Sequence, residues 1–273
     1  MNISVVISAY GRPNYLELVL WGYAAQSDRD FELIVADDGS DDDVRSTISR
    51  LRSDAGLEIR HVWHEDLGFR KSLILNRAIV SADGDYLLFT DGDCIPRRDL
   101  VEVHRRLARP NRYLAGGYVK LPEPVSEGIT VDDVRAGRIA DLRWLRSRGW
   151  RPGRRALRLL HHPGLSALLD KITPTAAHFH GNNASTWKEA LFEVNGFDAE
   201  MGYGGLDRAL GYRLVNAGVK GIQIRHRAVT MHLHHDRPYR RPEVIEVNRR
   251  IMDRIQHLHE VRARSGIDEM EPE

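Results

Sequence analysis

Over the first hundred residues the apolar positions alternate between two periods. Residues 3–7 form a short β-branched run, closed by Ser8-Ala9-Tyr10-Gly11. Pro13 then opens a helical pattern through Leu16, Leu18, Val19, Leu20 and Trp21, since the first turn of a helix does not need the missing proline N–H. Residues 31–36 read as a second strand, 44–51 as a helix, 57–63 as a third strand, 72–80 as a helix and 86–89 as a fourth strand. Strands separated by helical patterns predict an α/β fold with a mostly parallel sheet flanked by crossover helices.

The pattern changes after residue 93. Residues 99–108 predict a helix, and 113–120 a single strand containing Gly116-Gly117. Residues 135–158 carry nine arginines and one acid, Asp141, together with Trp144 and Trp150. Residues 176–237 are rich in Gly, His, Asn and aromatics, as a site-forming region would be. In the tail, Ile245, Val247, Ile251, Ile255 and Leu258 predict a charged helix over 243–264, packed on the outside.

Composition narrows the class. A chain of 273 residues with 42% hydrophobic and 29% charged positions is that of an ordinary globular protein. The net charge of +1 implies no polyanionic partner for the whole molecule, and argues against nucleic acid. The single cysteine, Cys94, allows no internal disulfide and fits a reducing compartment. No signal peptide and no apolar stretch of about eighteen residues is visible, so the expectation is a soluble, cytoplasmic protein, with attachment to the inner face of a membrane left open.

The acids decide where to look for chemistry. Aspartate pairs one residue apart occur at 28/30, 41/43, 83/85 and 91/93, and such a pair arises about once by chance in a chain of this length. Ligands of open α/β sheets gather at the carboxyl ends of strands, and Asp91-Gly92-Asp93 directly follows a strand pattern. Asp37-Asp38 also ends a strand, where it suits either a nucleoside or an Asx turn. Arg70 and Lys71, opening a helix after strand three, suit an anionic ligand. Three strand ends thus offer an acid pair, a basic pair and a second acid pair, as a nucleoside diphosphate held through a metal requires.

On these residues the first hundred positions resemble a family 2 glycosyltransferase of the GT-A fold. The matching segments are Val6-Ile7-Ser8-Ala9-Tyr10, Val35-Ala36-Asp37-Asp38-Gly39-Ser40, Gly68-Phe69-Arg70 with Asn76, and Asp91-Gly92-Asp93. Gly181-Asn182-Asn183, Val194-Asn195-Gly196-Phe197-Asp198 and Gly202-Tyr203-Gly204-Gly205-Leu206-Asp207 resemble the acceptor half of chondroitin-polymerase-like and β-1,4-galactosyltransferase-like enzymes. The resemblance implies a nucleotide-sugar half at 1–100, an acceptor and catalytic half at 101–238 containing a basic segment at 135–172, and a helical tail at 239–273.

It further implies a UDP-sugar donor, with Ser8, Ala9, Tyr10, Arg12, Asp37, Asp38, Arg70, Asn76, Asp91 and Gly92 around the nucleotide. Asn182, Asn183, Gly204 and Gly205 would meet donor or acceptor sugar. Asp207 takes the position of the general base, although Leu206 replaces the Glu that usually precedes it. Asp93 would bind Mn²⁺ or Mg²⁺ with a late histidine: His232, which takes the chondroitin-polymerase-like position, first, and His234, at the Met-x-x-His spacing from Met231 seen in galactosyltransferases, second; period-two alternation puts both on one strand face. The basic segment at 135–160, with Trp144 and Trp150, fits either an anionic bilayer serving a lipid-linked acceptor or a solvated face. Two rivals stand beside this reading. A nucleotidyltransferase would need a glycine-rich basic loop after strand one, where the chain has only Gly11-Arg12-Pro13. A catalytically silent sugar-binding module is the other.

Overall fold

The computed structural model describes residues 1–236 and 241–271. The expected boundary at 238/239, and the last residue of the site-forming stretch 176–237, lie outside the described residues. Among the described residues ten strands form two sheets: β1 (Ile3–Ala9), β2 (Phe31–Asp37), β3 (Ile59–Trp63), β4 (Tyr86–Asp91), β5 (Cys94–Pro96), β6 (Arg112–Ala115), β7 (Gly117–Lys120), β8 (Ala184–Trp187), β9 (Lys220–Gln223) and β10 (Val229–His232). The main sheet runs β3-β2-β1-β4-β8-β6-β9, with β8 antiparallel to both its neighbours. A small sheet runs β5-β10-β7.

Helices α1 (Pro13–Ala24), α2 (Asp42–Asp54) and α3 (Lys71–Ser81) cross between the first four strands. Their hydrophobic stripes explain the two cores. Val5 and Ile7 point to one side of the sheet and pack with Leu16, Leu20, Val44 and Ile48. Val6 points to the other and packs with Ile34, Ile74 and Ile79, following the period of two. Because helices cover both faces, the parallel strands read as unbroken apolar runs.

Three expectations need correction. The predicted strand 113–120 is two strands in different sheets. A side chain at Gly116 would collide with Asn183, and one at Gly117 with the Arg225 carbonyl, so the glycine pair is where the chain changes sheets. The predicted helix 243–264 spans only Pro242–Leu258, ended by His259 at φ 52°. The basic segment folds into short helices, with Leu145, Trp150 and Leu159 buried in the first core and Trp144 packed half-buried against it. Its arginines remain outside, but Trp150 offers no interfacial ring. Among the described residues no helix is long and apolar enough to cross a membrane.

Candidate active site

The order of the main sheet reverses between β1 and β4, which makes the carboxyl ends of these strands the crevice for a ligand. There Asp91 Oδ1 accepts from Ser8 Oγ at 3.1 Å and from Lys71 Nζ at 2.7 Å. Lys71 is the first residue of α3. Burial would lower its ammonium, but Asp91, Asp207 and Asp93 hold it well above the ordinary lysine value. Three carboxylates therefore converge on one cation.

Gly92 turns β4 into β5, its N–H donating to the Ser8 carbonyl at 2.8 Å. This turn delivers Asp93, and pairing of β10 with β5 sets His232 opposite Cys94. Ligand atoms of Asp93, Cys94 and His232 lie within 4.8 Å of one another. His232 Nδ1 lies 2.7 Å from the Leu233 carbonyl, which can only accept, so in the neutral ring the proton sits on Nδ1 and Nε2 is the atom with a lone pair for a metal. Burial, with Asp93 and Asp91 nearby, pushes the Cys94 thiol well above its ordinary value, so it stays protonated and is a poor ligand. The remaining donors, one carboxylate and one imidazole, fit a hard divalent ion.

His235 completes this corner. Its Nε2 lies 2.9 Å from Asp93 Oδ2, and its ring stacks on His232 with centroids 5.3 Å apart. Burial opposes ionisation of Asp93, but the His235 hydrogen bond and the His232 and His235 charges outweigh it and hold the carboxyl at about 2. The bond to Asp93 in turn raises His235. His234, expected as second ligand, is not brought to this group. Strand β10 ends at His232, so the alternation stops, and His234 lies 3.9 Å from Glu123.

Asp207 stands in the first turn of the helix Leu206–Asn216, whose N-cap is Gly205 at φ 95°. That turn favours an anion. Its Oδ1 is buried with no hydrogen-bond partner among the described residues. A side chain at Gly181 would come within 2.7 Å of this oxygen, so the glycine gives the carboxylate its room. Burial raises the Asp207 carboxyl above its ordinary value; Lys71 and the neighbouring Gly181 backbone N–H pull it down, and Asp91 pushes it up. Leu206 is buried in the second core with Leu210 and Leu214, so position 206 faces inward.

The nucleotide-side residues divide. Asp37 is fully buried, with Oδ1 accepting from Ser40 N at 2.9 Å and Oδ2 lying 2.9 Å from His61 Nε2. Asp38 lies 2.8 Å from His64 Nε2 and accepts from Arg70 N at 3.1 Å, and burial, the largest influence, raises its carboxyl. Asp38 thus braces the loop between β3 and α3, while Asp37 ties its own turn to β3. Arg70 Nη2 donates to the Glu65 carbonyl while its buried Nε has no partner. Ala9 ends β1, and its carbonyl accepts from Asp38 N at 2.9 Å. Exposed Tyr10 donates to Asp66 at 3.0 Å, and Arg12 reaches the Asp236 carbonyl at 3.3 Å.

Two expected contacts lie in the interior instead. Asn76 is fully buried, accepting from Phe197 N at 2.7 Å and donating to Phe197 O at 2.8 Å, so its amide clamps α3 to the 195–197 turn. Asn183, also fully buried, donates to the Gly117 and Ala228 carbonyls and meets His104 Nε2 at 2.9 Å. Asn182 is half-buried, its carbonyl accepting from Thr90 Oγ1 at 3.3 Å. The loop holding Gly204 and Gly205 is fastened by Asn248, whose Nδ2 donates to the carbonyls of Gly202, Tyr203 and Gly204 at 2.9, 3.2 and 2.7 Å. Sequence reasoning missed Asn248, since one amide in a charged helix carries no signal. A surface cleft lined by Arg29, Arg52, Arg60 and Asp83 lies at the opposite end of β1–β3 and touches none of these groups.

Comparison with known proteins agrees with this geometry. The glycosyl transferase family 2 model matches residues 4–191. The chain is 29% identical over 231 residues to validoxylamine A glucosyltransferase of Streptomyces hygroscopicus subsp. jinggangensis, covering 80% of this chain and 52% of that protein. It is 27% identical over 237 residues to chondroitin synthase of Escherichia coli, covering 80% of this chain and 32% of the relative. The chain thus spans about half or less of the length of these relatives. In fold it is similar to a Pyrobaculum calidifontis mannosyltransferase solved with GDP-Man and Mn²⁺, at TM-score 0.57 and 21% identity, covering 87% of this chain and 58% of that one. The GT-A architecture that the resemblance implied is the one found, and the chain belongs to glycosyl transferase family 2.

Proposed function

We propose that this chain is an inverting, metal-dependent transferase that moves a sugar from a UDP-linked donor to a hydroxyl of a glycan or lipid-linked acceptor. The observation that carries the reading is Asp207 Oδ1, a buried carboxylate oxygen with no hydrogen-bond partner of normal geometry among the described residues, in electrostatic reach of Lys71 and Asp91. An unpaired buried acceptor is costly unless a ligand satisfies it, and an acceptor hydroxyl does so. Asp207 takes the hydroxyl proton. The freed oxygen attacks the anomeric carbon from the face opposite the nucleotide, and the bond to the diphosphate breaks with its electron pair leaving on the phosphate oxygen. One displacement inverts the anomeric centre.

Asp93 and His232 would hold Mn²⁺ or Mg²⁺, and such an ion when bound offsets negative charge on the diphosphate. His235 fixes the orientation of Asp93 and covers the His232 ring. Ser8 and Lys71 fix Asp91 for a ribose hydroxyl. The Ser8–Tyr10 strand end, Arg12, Asp37, Asp38 and Arg70 form the base-side wall, and Asn182 with the Gly204-Gly205 loop adjoins the sugar. A lipid-linked acceptor would bring the exposed arginines of 135–160 to an anionic bilayer.

A panel of UDP-sugars, with GDP-mannose alongside, tests the reading through nucleotide release with Mn²⁺ and with EDTA, followed by the anomeric configuration of any product. Metal-dependent release from a UDP-sugar and an inverted product support it. UDP binding without turnover of any donor would favour the silent binding module.

A further inference from the structure

Beside Asp207 lies a concentration of positive charge that the donor does not explain. Gly181 touches Asp207, and the adjacent His180 ring lies 6.1 Å from that of His178. Both rings lie within the influence of Arg208 and Arg225, and burial together with these charges pushes His180 down to about 4, so it is neutral at pH 7. Arg225 stands beside Arg155 and Arg158. The guanidinium groups of Arg155 and Arg158 lie 5.3 and 5.9 Å from the centre of the Tyr118 ring. That ring is 6.0 Å from the ring of His232. The arginines therefore run from the helix turn of the proposed base round to the proposed metal corner.

Little opposes this charge. The nearby acid is Asp170, whose Oδ1 accepts from His226 N at 2.8 Å and whose Oδ2 accepts from Arg227 Nε at 2.7 Å. Among the described residues none of Arg155, Arg158, Arg208 and Arg225 forms a salt bridge with a carboxylate, and Arg225 Nε is buried without a partner. Burial and the Arg225 and Arg155 charges together lower Arg158 to about 10. Cations held this close repel one another unless an anion joins them, and planar guanidinium forks match carboxylate or phosphate.

We propose that Arg155, Arg158, Arg208 and Arg225 form a subsite for an oxyanionic group, a carboxylate or a phosphate, carried by the acceptor beside the hydroxyl that Asp207 deprotonates. The proposal rests on the transferase reading and adds the chemical class of the acceptor. Arg208, next in sequence to the base, and Arg225, at the end of β9, would grip the group from two sides, with neutral His180 as a hydrogen-bonding neighbour.

The test uses the whole protein saturated with UDP and Mn²⁺, so that the diphosphate site is filled. Methyl β-D-glucuronide, glucose 6-phosphate and methyl β-D-glucoside are titrated by ligand-observed NMR at low and high salt. At least one anion should bind about tenfold or more tightly than the neutral glucoside, and the advantage should shrink as salt rises. A preference for the glucuronide would identify a uronic acid, and one for the phosphate a phosphorylated acceptor. The Arg155→Ala/Arg225→Gln variant should lose the preference while keeping its UDP affinity, and exposed Arg155→Ala alone should lose part of it. Equal binding of anionic and neutral sugars, or a preference untouched by both variants, would overturn the subsite. So would a parallel loss of UDP affinity, since the arginines would then serve the donor. If the wild-type protein ignores UDP, the transferase reading fails separately, and the anion preference is still read without nucleotide.

Discussion

Replacing Asn248 should loosen the glycine loop that leads into Asp207. The residue is fully buried, and its one amide nitrogen serves three carbonyls at 2.7 to 3.2 Å. An amide has two N–H groups, so two full bonds are the ceiling, and each contributes on the order of 1 kcal/mol net. Asn248→Ala should therefore cost about 2 kcal/mol, somewhat more if water cannot reach the orphaned carbonyls, which lowers Tm by roughly 4–8 °C for a chain of this size. Asn248→Asp sharpens the test. It keeps the shape but turns the donor into a charged acceptor facing three carbonyls, so it should be worse than alanine. Thermal and urea unfolding of the three proteins measure the ranking Asn, Ala, Asp, and transfer activity should fall in the same order because Gly205 caps the helix bearing Asp207. An alanine variant with unchanged Tm, or an aspartate variant as stable as wild type, would refute this account of the loop.

Other outcomes follow from the same site. Lys71→Met removes the cation that lowers Asp207, so the acid limb of the kcat/KM profile should move to higher pH; an unmoved limb would separate Lys71 from the base. Buried His104, bonded to Ser185 and Asn183, is held down to about 4 by burial, so the native state favours its neutral form. Its contribution is complete above the unfolded value of about 6.5 and is lost as pH falls from there toward 4, roughly 3 kcal/mol in all. His104→Gln should flatten the stability curve in that window; a curve as steep as the wild type's would assign the acid sensitivity elsewhere.

The strand ends were legible because buried parallel strands leave unbroken apolar runs, and a crevice at their carboxyl ends follows from connectivity alone. That is why Asp91 and Asp93 stood out in the sequence, whereas Asp207, in the first turn of a helix, was marked only by the resemblance of its Gly204-Gly205-Leu206-Asp207 segment. What could not be read depends on pairings across long separations. His235 meets Asp93 only because β10 runs beside β5, and the short strand gives no period by which to choose among three histidines. Lys71 resembled an anion-binding residue, yet the fold surrounds it with Asp91, Asp93 and Asp207. Asn76 and Asn183 looked like ligand contacts because buried amides and binding amides are the same residue type. Only the fold shows that their partners are the protein's own backbone and, for Asn183, the His104 ring as well.

The central claim, that Asp207 is the base, is tested most directly by Asp207→Asn. Transfer to acceptor and UDP binding are measured on the same preparation. The amide keeps the size of the side chain and cannot take a proton, so transfer should fall by about 10²–10⁴-fold while metal-dependent UDP binding stays at the wild-type level. An asparagine variant that transfers sugar at the wild-type rate would contradict the account.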